Sequence, residues 1–389
     1  MKLSPDSGTY PLSVQQQQVW FAQTAEPNLP LYNIPIALDI SGPLDTSLLA
    51  KALMTVVEEN AALRTVVSDS GGVPFQSVVS ADRFALNHID LSTIPLQDRE
   101  NETMARMQTE AQRPFHLESE IPIRVTLWSL GKNRHILQFT IHHIASDGWS
   151  QYLIEQRLWK VYGALRSGKL TPKVTFSESY IDYSLRQNSY LDSHERDVDE
   201  AYWRTLLAEA ETSIPLPLKR VRSSRASHNG AKAYITVGER TVHALTDACR
   251  RAGTSVFVGV LCAVKSYLML CGGVTQGTLA FLDANRSHDT MGTVGNFINP
   301  LPLRTELVDG QSFSEALRTC HMAVADNLDH ARLPFLEIVK ASGAEHSVSR
   351  NPLFQVLVVY EMTPDVELPP ELQVRTLSMD EVKAKLDFT

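Results

Sequence analysis

The chain has 389 residues, 43% of them hydrophobic, and a formal net charge of -8. That length and apolar content allow large buried cores and exceed one ordinary domain. An acidic chain with no basic stripe has nothing to offset phosphate repulsion, so nucleic acid is not an expected partner.

In chain order, the bulky run at 34–40 predicts a strand and the apolar spacing over 45–60 predicts a helix. Gly71-Gly72 marks a turn. Further strands are expected at 86–89 and 123–130, around a charged, solvent-facing helix over 96–111. No apolar run approaches the roughly 18 residues of a membrane span. The residues after Met1-Lys2-Leu3 are Ser4, Pro5 and Asp6, so a secretory apolar core is lacking.

The segment Ile141-His142-His143-Ile144-Ala145-Ser146-Asp147-Gly148-Trp149-Ser150 follows a strand pattern at 135–140. Behind it Tyr152, Leu153, Ile154, Leu158, Trp159, Val161 and Tyr162 recur at helical spacing, and Ser146 or Asp147 is placed to cap that helix. Strand, two histidines, short turn, helix is the local pattern. Adjacent strand residues point to opposite faces, so one histidine can be held by structure while the other meets a reactant. His143 and Asp147, four apart, could share a metal on a helix. The strand before His143 and Gly148 after Asp147 break that helix, and a third ligand has no local candidate.

The polar passage from Ser167-Gly168-Lys169 to Arg196 and the basic, serine-rich loop at 219–229 connect to a second strand-helix series starting at Tyr234. Cys262 lies in an apolar helix-like run at 256–270 and reads as packing. Cys249, Cys262, Cys271 and Cys320 show no Cys-x-x-Cys spacing and suit a reducing cytoplasm. Glycine-rich nucleotide fingerprints and a Gly-x-Ser-x-Gly elbow are absent. Trp20, Trp149 and Trp159 read as core, and Arg350 with Asn351 as the entrance to a strand.

The histidine segment resembles the His-His-x-x-x-Asp-Gly signature of nonribosomal peptide synthetase condensation domains, within the chloramphenicol-acetyltransferase-like superfamily. Other stretches match that family in order. They are Tyr10-Pro-Leu-Ser-Val-Gln-Gln-Gln-Gln-Val-Trp20, Leu63-Arg64-Thr65, Tyr180-Ile-Asp182-Tyr183 with Tyr202-Trp203, and Gly295-Asn-Phe-Ile-Asn299 running on to Arg304. His330-Ala-Arg-Leu-Pro334-Phe335-Leu-Glu337 and Ser349-Arg-Asn-Pro352-Leu-Phe354-Gln355 complete the series. The second motif departs, with Glu59, Asn60 and Ala61 where the family opens Arg-His-Glu. Family chains also continue past the segment resembling 384–389, adding strands and a helix.

The resemblance implies an α/β (α+β) fold of two pseudo-symmetric lobes forming a V with a central tunnel. The expected division is 1–175 for the lobe carrying the histidine signature and 176–389 for the second lobe. The implied activity is N-acylation: an acyl thioester on CoA or a carrier is attacked by the amine of a carrier-bound aminoacyl group. No cofactor is bound by the domain itself, because the substrates ride on phosphopantetheine or CoA. The implied partners are acyl-CoA, a peptidyl carrier protein and an adjacent adenylation domain, in the cytoplasm.

His143 is then the general base or the group that positions the amine, since a neutral imidazole suits the proton step. His142 helps hold the loop. Gly148 lets the backbone approach the thioester or pantetheine arm. Asn299 bonds the donor carbonyl or pantetheine, or else local backbone. Asp147 could orient His143 as in a triad, but across a short turn its carboxylate is expected to point into the fold and pair with an arginine. Arg64 is the first candidate partner and Arg304 the second. Because the opening motif starts about ten residues after Met1, a starter domain that uses free acyl-CoA is expected. The alternatives are an elongation domain joining two carrier-bound groups, or a non-catalytic or epimerising relative of the same fold.

Overall fold

The run that leads into the two histidines is a strand buried on both faces, with apolar Leu137, Phe139 and Ile141 on one side and Ile136 with the polar Gln138 and Thr140 on the other. The computed structural model describes residues 8–169, 177–208, 214, 227–306, 308, 310–345, 350–362, 364–379 and 383–389. The chain opens with β1 (Thr9–Pro11), α1 (Val14–Ala25), β2 (Asn33–Ser41), α2 (Thr46–Glu59), β3 (Thr65–Ser70), β4 (Val73–Val78) and β5 (Leu86–Asp90). Next come α3 (Leu96–Gln112), β6 (Ile123–Gly131), β7 (Arg134–His142), α4 (Gly148–Arg166), α5 (Tyr180–Leu191) and α6 (Glu195–Leu207). The rest is α7 (Glu239–Ala252), α8 (Val256–Gly272), β8 (Gln276–Asp283), β9 (Asn299–Glu306), α9 (Phe313–Asp329), α10 (Phe335–Ser342), β10 (Leu357–Val358) and β11 (Gln373–Leu377).

The first compact unit comprises residues 1–189, 286–297 and 362–380. Its main sheet has the order β11-β2-β7-β6-β5, antiparallel except where β5 runs parallel to β6. The period of two decides which helix each side chain meets. Leu38, Ile40, Leu137, Phe139 and Ile141 join the core that also buries residues of α2 and α4. Ala37, Trp128 and Ile136 pack instead with Met107 and Ala111 of α3. His142 ends β7 with the parity of Ile136, so it falls on the α3 side. A second sheet, β1-β4-β3, carries the Gly71-Gly72 turn with both glycines at positive φ.

The strand β11 is remote in sequence but joins this unit by pairing antiparallel with β2. Arg375 donates to buried Asp39 at 2.7 and 3.0 Å and fixes that register with charge as well as ladder bonds. Glu59, at the end of α2, makes a bidentate pair with Arg157 of α4 at 2.6 and 2.7 Å. The expected split near residue 175 lies outside the described residues. Two later segments return to the first unit, so it is not one continuous stretch.

The second unit comprises residues 190–285, 298–361 and 381–389. Its sheet has the order β10-β8-β9, with β10 parallel and β9 antiparallel to β8. Leu261, Cys262 and Leu268 of α8 pack with Leu279 and Phe281 of β8, Leu303 of β9 and Leu317 and Cys320 of α9. The series expected from Tyr234 begins differently. Tyr234 and Ile235 are 77% and 91% exposed and belong to none of the strands, so the first element is the helix α7. β-propensity depends strongly on packing context, so a strand-like composition alone does not make a strand. Of the basic loop at 219–229, residues 219–226 lie outside the described residues. Among the described residues no single helix is long and apolar enough to cross a membrane.

Candidate active site

The turn after β7 is built around one carboxylate. Asp147 is the N-cap of α4, with an extended backbone, and its Oδ1 accepts from the Ser150 N–H at 2.8 Å. That is the capping role expected from the sequence, since the first turn of a helix leaves N–H groups unpaired. Asp147 is only 1% exposed, so capping alone would leave a buried negative charge. The compensating cation is Arg286, whose Nη2 lies 2.9 and 3.0 Å from the two carboxylate oxygens. Oδ2 also accepts from the Phe297 N–H at 3.1 Å.

This partner corrects the expected pair. Arg64 spends its guanidinium on backbone, donating to Val57, Glu58 and Val79 carbonyls at 3.0, 3.0 and 2.7 Å. Those bonds tie the end of α2 to the end of β4. Arg304, in the second unit, donates to the Leu206 and Ala208 carbonyls at 2.8 and 3.2 Å. Arg286 has no local sequence signal, being an arginine in a polar loop 139 residues from its partner.

Both terminal nitrogens of Arg286 are engaged around Asp147. Its Nη1 donates to the Thr290 and Thr293 carbonyls at 2.8 and 2.7 Å, and its guanidinium carbon sits 4.2 Å from the Phe297 ring centroid. Burial pushes the guanidinium below its usual value, and the adjacent carboxylate opposes that shift. Charge-assisted and bidentate bonds of this kind suit arginine and not lysine.

Ser150, also fully buried, is the second hub, and the sequence reading missed it. Its hydroxyl accepts from the Gly295 N–H at 3.0 Å and from Arg286 Nη2 at 2.8 Å. Its own proton goes to Asp147 Oδ1 at 2.7 Å or to the Gly295 carbonyl at 2.8 Å. Gly295 is required by contact, because a Cβ there would lie 1.9 Å from the Tyr180 ring. Tyr180 donates to the Asn296 carbonyl at 2.6 Å, and burial raises its hydroxyl well above the usual tyrosine value. Thus Tyr180, Gly295 and Phe297, from two separate sequence motifs, meet beneath the histidine turn.

The two histidines have different surroundings, as the strand alternation predicts. His142 is fully buried, with its ring edge-on to Phe115 at 5.5 Å. Its Nδ1 accepts from the Ile144 N–H at 3.3 Å, which leaves the ring proton on Nε2 to donate to Gln23 Oε1 at 3.4 Å. His143 is half-buried, and its backbone N–H donates to the Tyr32 carbonyl at 2.8 Å. Gly148 is exposed and its φ is not left-handed. Trp20 and Trp159 are core residues as expected; Trp149 is half-buried, its indole N–H donating to the Met291 carbonyl at 2.7 Å.

Asn299 lies in the second unit and is committed to backbone. Its Nδ2 donates to the Ala331 and Leu333 carbonyls at 2.9 and 3.0 Å, and its Oδ1 accepts from the Phe335 N–H at 2.8 Å. These bonds hold the Asn299 strand start to the 331–335 backbone. Asn351 accepts from the Leu353 and Phe354 N–H groups, a turn at the approach to β10.

A family model described as "Condensation domain" matches residues 6–388. The chain belongs to the condensation-domain family. It is 31% identical over 390 residues to the dimodular nonribosomal peptide synthase of Bacillus subtilis, covering 97% of this chain and 16% of that protein. The domain therefore spans a small part of the curated relatives it matches. Its fold is similar to the X-domain from teicoplanin biosynthesis, with a TM-score of 0.86, 25% identity, and coverage of 97% of this chain and 83% of that one. A starter condensation domain of rhizomide synthetase, solved with C8-CoA and Leu-SNAC, has the same fold at a TM-score of 0.82 and 24% identity, covering 96% and 83% of the two chains. These likenesses establish the mixed α/β fold of condensation domains.

Removing either partner of the Asp147–Arg286 pair strands a buried charge, and the expected cost of Asp147→Ala or Arg286→Ala is about 3–5 kcal/mol. Urea unfolding of the two single variants and the double variant checks this. The double variant should lose much less than the sum of the singles, while pairing Asp147→Ala with Arg64→Ala should be additive.

Proposed function

We propose that this domain forms an amide bond within a nonribosomal peptide synthetase. In this reading it transfers a fatty acyl group from acyl-CoA or an acyl-carrier thioester to the amine of an aminoacyl group on a peptidyl carrier protein. The observation that carries the reading is the division of labour in the histidine turn. Asp147 is spent on Arg286, Ser150 and Phe297, and His142 is enclosed. That leaves half-buried His143, beside exposed Gly148, as the titratable side chain of the turn that a substrate can reach.

The chemistry asks little more of the protein. The neutral amine attacks the thioester carbonyl and a zwitterionic tetrahedral intermediate forms. His143 takes a proton from the new ammonium, the carbon–sulfur bond breaks, and the leaving thiolate recovers the proton. No nucleophilic serine or cysteine is needed, because the thioester is already activated. Substrates arrive on phosphopantetheine or CoA, and the neighbouring carrier and adenylation domains are the implied partners. The likeness in fold to a starter domain solved with C8-CoA supports acyl-CoA as donor. A binding role is the second reading, favoured by the likeness to the teicoplanin X-domain, which is also solved in complex with OxyB.

His143→Ala should lower condensation by about 10²–10⁴-fold, the range for a positioned acid-base group, measured as acyl-aminoacyl-carrier by mass spectrometry. Unchanged turnover would remove His143 from the mechanism.

The donor is tested with an aminoacyl-loaded carrier and a ladder of acyl-CoAs. Each buried methylene should add about 0.8 kcal/mol, so use of the donor should rise with chain length to an optimum. Product only from a carrier-tethered donor would establish the elongation reading, and no product from either donor would favour the binding role.

A further inference from the structure

The main sheet of the first unit forks at the start of β6. β5 pairs with β6 only from Leu86 and Val125 onward, so Ile123 and Arg124 of β6 have no β5 partner. Just before β5 the chain leaves the sheet through a short helical turn at Ala81–Arg83. The space between the departing chain and β6 is a cavity of about 620 Å³, bounded also by the end of α3 and the loop before β6. That volume falls within the roughly 300–1,000 Å³ of small-molecule sites. Its lining residues all belong to the first unit, and none belongs to the histidine turn or to the Asp147–Arg286 network.

The charged groups on the cavity wall divide into two sets. Arg124, its side chain 10% exposed, is committed to structure. Its guanidinium sits 3.8 Å over the Phe115 ring and donates to the Arg113 and Pro114 carbonyls at 2.6 and 3.2 Å. Glu110 lies 3.2 Å from Arg113 and 2.9 Å from Arg124, and Glu120 lies 3.7 and 3.6 Å from the same two arginines. Those four charges cancel. Arg83 is the cation left over, exposed on the wall, and its side chain makes no hydrogen bond or ion pair among the described residues. Three arginines against two glutamates leave one positive charge in excess. Asn87 and Thr126 also line the cavity, and as register partners across β5 and β6 they share a face of the sheet. Neither side chain has a hydrogen-bond partner among the described residues. Thr126 is only 3% exposed, and a buried hydroxyl normally has a partner. Buried Phe84 and Ile121 add an apolar wall.

We propose that this cavity binds a small organic anion, whose carboxylate or phosphate pairs with Arg83 and accepts hydrogen bonds from Asn87 and Thr126 while its apolar body rests on Phe84 and Ile121. A guanidinium, an amide and a hydroxyl can all donate to one oxyanion. The guanidinium offers it two parallel N–H groups, the geometry that carboxylate and phosphate share. A neutral ligand would gain little from Arg83, and a cation would be repelled by the excess positive charge.

Benzoate, phenyl phosphate and benzamide share one ring and differ in the group that meets Arg83. Each is titrated into the full chain labelled at the isoleucine δ1 methyls, and NMR follows Ile121 and Ile123, which line the cavity. Benzoate or phenyl phosphate should give saturable shifts at these methyls, the tighter of the two identifying the head group, and benzamide should not. Arg83→Gln should weaken binding of the anion about tenfold or more, the usual worth of a hydrogen bond between charged groups. Asn87→Ala and Thr126→Val should each weaken it about two- to tenfold. Arg83 and Asn87 are exposed and make no side-chain bonds among the described residues, so removing either leaves the fold intact. Arg106→Gln removes an exposed arginine of α3 outside the cavity and should leave the affinity unchanged. Shifts that do not saturate, equal binding of benzamide, or an unchanged affinity in Arg83→Gln would overturn the site. An equal loss in Arg106→Gln would reduce the effect to general charge attraction and overturn it as well.

Discussion

A carboxylate buried without a cation would not stay charged, and the histidine turn depends on Asp147 staying charged. Arg286 makes that possible. Its loop, followed by Gly295 and Phe297, is drawn to a helix N-terminus whose own N–H groups already attract a negative group. The ion pair therefore does more than cap α4. It closes a polar network of Asp147, Ser150, Arg286 and the 295–297 backbone, in which each member satisfies another. Such a network is rigid when complete and costly when broken. In that turn His143 is half-buried and His142 is enclosed.

The two units treat buried charge differently. In the first, cations and carboxylates pair directly: Arg286 with Asp147, Arg157 with Glu59, Arg375 with Asp39. In the second, the buried Lys265 ammonium donates to the Gly277 and Leu303 carbonyls. The carboxylates neutralise their cations, whereas the carbonyls offer the ammonium dipoles.

Much of the fold was legible because the signals are local. The apolar alternation at 34–40, the helical spacing at 45–60 and the capping position of Asp147 each depend on neighbours within a few residues. The pairing of β11 with β2 and of Asp147 with Arg286 was not legible, since each joins segments more than a hundred residues apart. Arg64, Arg286 and Arg304 are alike as sequence, and only the packed structure shows that two of them bond backbone carbonyls and one bonds the carboxylate. The motif that contains Gly295 was legible, but its reason was not, because the Tyr180 ring that excludes a Cβ comes from a different motif. The run at Tyr234 and Ile235 was misread: its strand-like pattern stays exposed and falls in none of the named strands.

The account holds that Asp147 acts on Arg286 and Ser150 and not on the imidazole of His143. The most direct measurement is the titration of the histidine rings, followed by NMR in ¹³C-histidine-labelled protein, with and without Asp147→Asn. The account predicts that the His143 midpoint stays in place while the Gly295 and Phe297 amides lose protection from hydrogen exchange. A carboxylate bonded to the imidazole would favour its charged form, so losing it would lower the midpoint by about a unit or more. A fall of that size with the amides still protected would contradict the account and restore the triad.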